Sequence, residues 1–112
     1  MEFNNTSVGI LQSGDFNAQG ILFTRHPVLI LIYGSHCPYC QQEIPAFIQL
    51  AARGQNVLCA AIPTEGPNAD PALLQRLSSI IPGIRGVPTF ALFVNGHFVA
   101  SARKAEDLIG KL

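Results

Sequence analysis

The chain has 112 residues and a formal net charge of zero, which suits one domain and excludes the strong basic surplus of many nucleic-acid-binding proteins. Hydrophobic residues make up 48% of the sequence and charged residues 12%. This balance can fill a hydrophobic core and excludes an intrinsically disordered chain. We therefore expect a single domain, residues 1–112, that binds no nucleic acid.

The sequence shows neither a membrane-spanning pattern nor an export signal. Its longest apolar run, VLILIY at residues 28–33, is too short to cross a bilayer. The N-terminus, MEFNNTSVGI, carries an acidic residue and lacks the basic segment and long apolar stretch of a secretory signal. These features predict a cytoplasmic protein without a membrane partner.

The first half of the chain alternates predicted strands and helices: a strand at about 8–11, a helix at about 13–23, a strand at 28–33 and a helix at about 37–53. Ser13 or Asp15 is the expected N-cap of the first helix. The aliphatic run at 28–33 is typical of a strand buried on both faces. Pro45 lies inside the long helix, so we expect a kink there, and Gly54 is expected to end that helix.

The second half adds a strand at about 57–62, a helix at about 72–81, strands at about 89–94 and 97–102, and a closing helix at about 105–112. Asp70 and Pro71 form a typical N-cap and first-turn pair for the middle helix, and Pro82 is expected to stop it. Asn95 and Gly96 predict a two-residue hairpin turn. The order βαβα followed by ββα predicts parallel strands in the first half and an antiparallel hairpin at the end.

Cys37 and Cys40 stand two residues apart in the segment YGSHCPYCQQEIP, directly after the buried run. A tetrahedral zinc site needs four ligands, and one Cys-x-x-Cys pair supplies two of them. The three histidines of the chain lie far apart, and Cys59 falls in a predicted buried strand. We therefore expect no metal in the monomer. A cluster shared between two chains stays open as an alternative that nothing in the sequence favours.

A redox pair explains the position of these cysteines better. Positions i and i+3 in the first turn of a helix place both sulfurs on nearly the same face. The first sulfur then lies at the helix N-terminus, where free N–H groups and the helix dipole favour an anion. Because thiolate is the nucleophile in disulfide exchange, the sequence predicts Cys37 as the attacking residue. Cys40, one turn inward and more buried, is the expected resolving thiol.

Neighbouring residues are expected to support the attacking sulfur. Lowering a thiol pKa from about 8.5 to about 7 requires about 2 kcal/mol, whereas a helix terminus alone supplies about 0.3–1 kcal/mol. The remainder is expected from hydrogen bonds to the sulfur or from a nearby positive charge. His36 is the candidate for that charge, with a plain solvated turn residue as the alternative. Pro38 stiffens the first turn without losing a hydrogen bond, and Tyr39 is expected to point outward as a contact surface for a partner.

These features resemble the thioredoxin superfamily over roughly residues 8–112. The resemblance is carried by the buried strand VLILIY, by CPYC at the start of a helix, by Pro45 five residues after Cys40, and by GIRGVPTFALFVNGHFV at residues 83–99. It implies a thioredoxin fold of the α/β class, with a central mixed sheet of about four to five strands flanked by about four helices. It also implies no cofactor beyond a redox-active Cys37–Cys40 disulfide.

The resemblance further implies a cis peptide bond between Val87 and Pro88, packed beside the cysteine pair. In this family the residue before that proline offers its backbone to an extended segment of the substrate, a role that falls to Val87. The alternative for Pro88 is a trans residue in a turn before an edge strand. The implied partners are protein disulfides as substrates and an upstream reductase or glutathione as electron source, with the protein itself a monomer.

The sequence departs from the thioredoxin pattern at several positions. CPYC is similar to the glutaredoxin active site, whereas the flanking residues favour the thioredoxin branch. Leu31 stands where many thioredoxins have a buried aspartate, and Glu43 is either a substitute for it or an ordinary helix glutamate. Arg103 and Lys104 occupy a region where a glycine is expected, and they could steer an acidic partner or solvate a helix start. The loop at 63–71 is longer than in a minimal thioredoxin.

The sequence therefore predicts a thiol–disulfide oxidoreductase that acts on protein disulfides through Cys37 and Cys40. One alternative is a glutaredoxin-like reductase coupled to glutathione. Another is a thioredoxin-fold adaptor or binding module whose cysteines take no part in catalysis. Cys59 is expected to be a buried core residue rather than a regulatory thiol.

Overall fold

The computed structural model describes residues 3, 5–53, 56–84 and 86–111. Its strands are β1 (Gly9–Ile10), β2 (Val28–Tyr33), β3 (Leu58–Pro63), β4 (Thr89–Val94) and β5 (His97–Ala102). Within this described part, the α-helices are α1 (Pro38–Arg53), α2 (Pro71–Ser78) and α3 (Glu106–Ile109), and a 3-10 turn spans Ser13–Asp15. None of the helices among these residues combines the length and the apolar character needed to cross a membrane.

The five strands form one mixed sheet in the order β1-β3-β2-β4-β5. β3 runs parallel to β1 and β2, whereas β4 runs antiparallel to β2 and β5. The predicted parallel first half and antiparallel hairpin are therefore confirmed. The hairpin turn is confirmed as well, because Asn95 and Gly96 have φ of 53° and 83°, the left-handed backbone that a tight two-residue turn requires.

β2 is the centre of the sheet, and all of its residues are buried. Alternate residues of a strand face opposite sides of the sheet. Leu29 and Leu31 pack with the buried residues of α1, and Ile30 and Ile32 pack with those of α2. Burying each such side chain contributes about 1.5–3 kcal/mol before the loss of conformational entropy is subtracted. The apolar run thus becomes a strand covered by helices on both sides, and its carboxyl end leads into α1.

The prediction of a helix at about 13–23 is wrong, because only the 3-10 turn at Ser13–Asp15 forms there. Ser13 and Asp15, the expected N-cap residues, therefore cap no α-helix. The side chain of Asn17 accepts hydrogen bonds from the backbone N–H groups of Gln19 and Ile21, each at 2.9 Å. Asparagine side chains that bond to nearby backbone in this way compete with the helical pattern. The described residues therefore hold fewer α-helices than the four expected.

α2 also ends earlier than expected, at Ser78 rather than next to Pro82. The backbone N–H groups of Ile80 and Ile81 both bond to the Leu77 carbonyl, at 2.9 and 2.8 Å. This doubling tightens the chain into a turn, which is a common way for a helix to end. The stop therefore comes from the helix terminus itself, a few residues before the proline.

Of the remaining helix boundaries, the start of α2 agrees with the prediction and the extent of α3 does not. α2 begins with Pro71, and Asp70 is its N-cap, as expected. α1 continues through Pro45 to Arg53, and its expected terminator, Gly54, lies outside the described residues. α3 is shorter than expected, since it ends at Ile109. Residue 112, the predicted end of this helix, lies outside the described residues.

Candidate active site

The cysteine pair lies where the carboxyl end of β2 passes into α1. Tyr33 ends the strand, a short turn follows, and Pro38 is the first residue of the helix. Cys37 and Cys40 form a disulfide with their Cα atoms 5.2 Å apart, which is within the usual range for this bond. Cys37 is half-buried and Cys40 is fully buried. The sulfur of Cys37 is therefore the more accessible of the two.

Cys37 occupies the N-cap position of α1. Its carbonyl accepts the N–H of Gln41 at 3.1 Å, and its Sγ accepts the N–H of Cys40 at 3.2 Å. An N–H group at a helix N-terminus that points at a sulfur favours the thiolate, through the hydrogen bond and through the helix dipole. Pro38 suits the first helical position because that residue needs no N–H bond within the helix. Cys37 thus lies at the helix start with Cys40 one turn inward, as expected, and their roles as attacking and resolving residues stay predictions.

Val87 and Pro88 lie beside the pair, and the peptide bond between them is cis, as predicted. The Val87 carbonyl oxygen is 3.6 Å from Cys37 Sγ, so a reduced Cys37 thiol at this place can donate to it. These residues are 50 positions apart in the sequence. They meet because β2 and β4 are neighbours in the sheet, which brings the end of one strand next to the start of the other.

Arg103 holds the loop that carries Val87, a contact that no local sequence pattern predicts. Arg103 follows β5 directly, and its Nη1 donates to the carbonyls of Gly86 and Pro88, at 2.6 and 3.1 Å, and to Thr89 Oγ1 at 2.7 Å. The Thr89 hydroxyl in turn donates to the Gly86 carbonyl. The available signal was a cation where the family resemblance implies a glycine. The sequence predicted that Arg103 would steer an acidic partner or solvate a helix start, and neither prediction included this contact with the loop.

His36 is next to Glu65, a residue of the loop between β3 and α2 that the sequence also leaves unmarked. Glu65 Oε1 accepts hydrogen bonds from the Ser35 hydroxyl at 2.8 Å and from the His36 backbone N–H at 3.1 Å, and it lies 3.3 Å from His36 Nδ1. The Ser35 hydroxyl, followed by the His36 N–H, lowers the pKa of Glu65. The His36 side chain is 91% exposed, and its Nδ1 also lies 3.2 Å from the Ser35 hydroxyl. Tuning of the Cys37 thiolate by His36 stays a prediction.

The interior side of the pair is apolar. Cys40 belongs to the same core cluster as Leu31, which is fully buried and stands between Ala61 of β3 and Phe90 of β4. The place where many thioredoxins have an aspartate is therefore filled by an aliphatic side chain in close packing. Glu43, the candidate substitute, lines a groove on the outer side of α1 instead.

That groove has a volume of about 270 Å³ and includes Val87, whose carbonyl oxygen lies 3.6 Å from Cys37 Sγ. It is lined by Tyr39 and Glu43 from α1, by Val87 and Pro88, and by Arg103 and Lys104 beyond β5. Tyr39 is 69% exposed, so its outward direction is as predicted. The structure therefore brings three of the predicted site residues, Tyr39, Val87 and Pro88, to one surface. Their roles in binding stay predictions.

Cys59, the third cysteine, is a core residue, as expected. It is buried in β3, and burial raises its pKa from the usual 9.0 to about 11. A thiol with such a pKa is protonated near neutral pH and is a poor nucleophile. Among residues 3, 5–53, 56–84 and 86–111, no group of three or more His, Cys, Asp and Glu side chains gathers to hold a metal ion.

No protein-family model and no curated protein sequence matches this chain. Thioredoxin f2 from Chlamydomonas reinhardtii superposes with a TM-score of 0.69 at 21% identity, over 93% of this chain and 92% of that one. The short form of thioredoxin f from spinach chloroplast gives 0.70 at 22% identity, over 95% and 90%. Thioredoxin O2 from Arabidopsis thaliana, in its oxidised state, gives 0.68 at 16% identity, over 96% and 95%.

Each of these superpositions covers at least 90% of both chains. At this level of identity the likeness establishes the fold. The thioredoxin fold that the sequence resemblance implied is thereby confirmed. The chain has the thioredoxin fold, with a Cys-x-x-Cys pair at the start of α1.

Proposed function

We propose that the protein is a thiol–disulfide oxidoreductase that acts on protein disulfides through a dithiol–disulfide cycle of Cys37 and Cys40. The thioredoxin fold of its structural neighbours and the close cysteine pair support the general class. The observation that carries the proposal is the position of Cys37 Sγ, half-exposed at the start of α1 and within hydrogen-bond distance of the Cys40 N–H. This is where a thiolate is stabilised and can be reached.

In the reducing direction, the Cys37 thiolate attacks one sulfur of a substrate disulfide. A mixed disulfide forms, the substrate S–S bond breaks, and the departing thiolate takes up a proton. The Cys40 thiol then loses its proton, and its sulfur attacks Cys37 Sγ, which releases the second substrate thiol. Two electrons pass to the substrate. The Cys37–Cys40 pair is left as the disulfide that this structure contains.

The surface beside the pair supports a polypeptide as substrate. Tyr39 is exposed on one side of the groove, and the backbone of Val87 lies next to Cys37 on the other. An extended segment can add to exposed backbone groups of this kind as a strand does. Val87 and Tyr39 are therefore the proposed substrate-binding residues, and the buried Pro88 supports the loop.

A second reaction must restore the dithiol. An upstream reductase with a dithiol of its own, or two molecules of glutathione, supplies the two electrons. Coupling to glutathione, as in glutaredoxins, is the second candidate function, and the CPYC sequence is the observation that favours it. Turnover with glutathione as the sole reductant would establish that candidate.

We further propose that the protein is a monomer and works in the cytoplasm, where such donors keep thiols reduced.

Reduction of insulin by dithiothreitol tests the proposed function. We expect the protein to accelerate the reaction, Cys37→Ser to abolish the acceleration, and Cys40→Ser to accumulate a mixed disulfide with the substrate. Cys59→Ser is the matched control and should keep the parent rate, because Cys59 is a free, buried cysteine outside the pair. A Cys37→Ser variant as active as the parent would rule the proposal out.

The direction of the cycle depends on the reduction potential of the pair. Potentials of dithiol pairs in related oxidoreductases span about −270 to −120 mV, and 30 mV corresponds to about 1.4 kcal/mol. Equilibration with mixtures of reduced and oxidised glutathione measures this potential. A value near the lower end would make the protein a reductant, and a value near the upper end would make it an oxidant or isomerase.

A further inference from the structure

We infer that Arg103 is a positioning residue for the substrate: it holds the loop at 86–89 so that the Val87 backbone can pair with an extended, disulfide-bearing segment beside Cys37. This role presupposes the proposed function. The observation behind it is that Arg103 Nη1 bonds to the carbonyls of Gly86 and Pro88, the residues on either side of Val87.

The loop needs such support because the sheet ends before it. The last pairs that β4 makes are Thr89 with β2 and Phe90 with Ala102 of β5. Residues 86–88 lie beyond both pairs, where the ladder of the described strands no longer holds them. Arg103 is the residue after Ala102, so its side chain continues the support past the point where β5 stops.

The absence of a side chain at Gly86 leaves room for the Arg103 guanidinium. A Cβ placed on Gly86 would lie 2.7 Å from Arg103 Nη2 and 2.9 Å from Nη1, closer than carbon and nitrogen approach without repulsion. Glycine therefore allows the guanidinium to rest directly on the loop backbone. Thr89 completes the contact, since its hydroxyl accepts from Nη1 at 2.7 Å and donates to the Gly86 carbonyl. Hydrogen bonds from a charged donor are stronger than those between neutral groups.

The contact should affect polypeptide substrates more than small disulfides. The hydrogen bonds of Arg103 go to the loop, and the loop in turn presents Val87, whose carbonyl oxygen is 3.6 Å from Cys37 Sγ. A polypeptide disulfide that pairs with Val87 depends on where the loop lies. A small, neutral disulfide has no backbone to pair, so it reports on the sulfur chemistry alone.

We therefore propose to measure second-order rate constants of the reduced protein with an extended peptide disulfide and with bis(2-hydroxyethyl) disulfide. Arg103→Met should slow the peptide reaction about tenfold and the small-disulfide reaction less than about twofold. Lys111→Met removes the same charge from an exposed residue two positions after the end of α3, and it should change neither rate. Thermal unfolding of each variant verifies that it is folded.

Gly86→Ala is the second variant. It keeps the positive charge of Arg103, and its Cβ displaces the guanidinium from the loop. We expect the same selective loss of the peptide reaction. In the Arg103→Met background Gly86→Ala should cause little further loss, because both substitutions remove one and the same contact. This variant also tests the role if Arg103→Met fails to fold.

Equal slowing of both disulfides, or no slowing of the peptide disulfide by either variant, would overturn the role of Arg103 and leave the proposed function intact. A parent protein that reduces neither disulfide would overturn both. The selectivity between the two substrates, rather than the activity alone, is thus the deciding result.

Discussion

The backbone N–H of Cys40 points at Cys37 Sγ from 3.2 Å, so the inner cysteine stabilises negative charge on the outer one. The sulfur of Cys37 is half-exposed at the start of α1, whereas Cys59 is buried in β3 with its pKa raised to about 11. A helix N-terminus and a hydrophobic core have opposite effects on a thiol, since one favours the anion and the other disfavours it. We therefore expect these two cysteines to differ in reactivity once the disulfide is reduced, because of where the fold places them.

Alkylation of the reduced protein should show this difference directly. At pH 7, Cys37 should react with iodoacetamide about threefold to fourfold faster than a free peptide thiol, because a larger fraction of it is thiolate, although each thiolate is a weaker nucleophile. Cys59 should react only when the protein is unfolded. Peptide mass spectrometry after increasing reaction times measures both rates, and Cys40→Ser isolates Cys37 from its partner. Equal rates for Cys37 and Cys59 would contradict the arrangement.

Glu65→Gln should make Cys37 more reactive. Glutamine keeps an oxygen that accepts the hydrogen bonds of Ser35 and His36, but it removes the negative charge beside the turn that leads to Cys37. We expect alkylation of Cys37 at pH 7 to rise about twofold, because a nearby negative charge disfavours a thiolate. The gain should fade in about 1 M salt, where the Debye length is about 3 Å.

The control for this experiment is Glu106→Gln, which removes the same charge from the exposed start of α3. It should leave the alkylation of Cys37 within experimental error of the parent. A gain in Glu65→Gln that persists unchanged at high salt would count against an electrostatic cause and would point to a change in the turn itself.

The stability of the fold should decrease in acid because of Glu65 and Asp70. The pKa of Glu65 is lowered first by the Ser35 hydroxyl, and that of Asp70 first by the Ser13 backbone N–H. Each carboxylate therefore adds to the free energy of unfolding. The full contribution is present above the ordinary pKa, 4.5 for Glu65 and 3.8 for Asp70, and it is lost as the pH falls through the lower pKa of the folded state. From these two groups we expect no loss of thermal stability between about pH 7 and 5 and a loss below about pH 4.

Asp70→Ala should remove part of this pH dependence. Asp70 caps α2 through the Leu73 N–H at 3.2 Å and ties that helix to the Ser13 N–H at 2.9 Å. Losing both bonds should lower Tm at pH 7 on the order of 5 °C, as the loss of a helix cap does in a small domain. Calorimetry at several pH values measures the effect. A variant with the same acid profile as the parent would show that this carboxylate is not responsible.

Leu31→Ala should destabilise the protein by about 2–5 kcal/mol, because it leaves a cavity in the tightly packed centre of the sheet. Leu31 is fully buried, whereas Val99 on β5 is 52% exposed. Val99→Ala is the matched control and should cost less than about 1 kcal/mol. Urea unfolding measures both values. Similar costs for the two variants would contradict the close packing behind Cys40.

The strands β2 and β4 could be predicted from the sequence because a strand buried on both faces requires an uninterrupted apolar run. Such runs stand at 28–33 and 90–94, and the observed strands span 28–33 and 89–94. The segment at 13–23 has no such run, and its helix was predicted from a weak helical pattern. The side chain of Asn17 accepts hydrogen bonds from the backbone of Gln19 and Ile21 there, and these bonds compete with a helix.

The sequence by itself determined the features that have a local cause. Burial requires apolar runs, a helix start requires a cap such as Asp70, and a tight hairpin requires residues such as Asn95 and Gly96. The cysteine pair is another such feature, because the spacing of Cys37 and Cys40 and their position at the start of a helix are both read from neighbouring residues.

Only the tertiary structure decided what surrounds Cys37. Three contacts there join residues that are distant in the sequence. Arg103 and Gly86 are 17 positions apart, Glu65 and His36 are 29 apart, and Val87 and Cys37 are 50 apart. An arginine or a glutamate in a loop has the same local pattern whether it is solvated or bonded to distant backbone. The difference arises when the sheet brings the ends of β2, β3, β4 and β5 to one edge, since hydrogen bonds require atoms to be within about 3 Å.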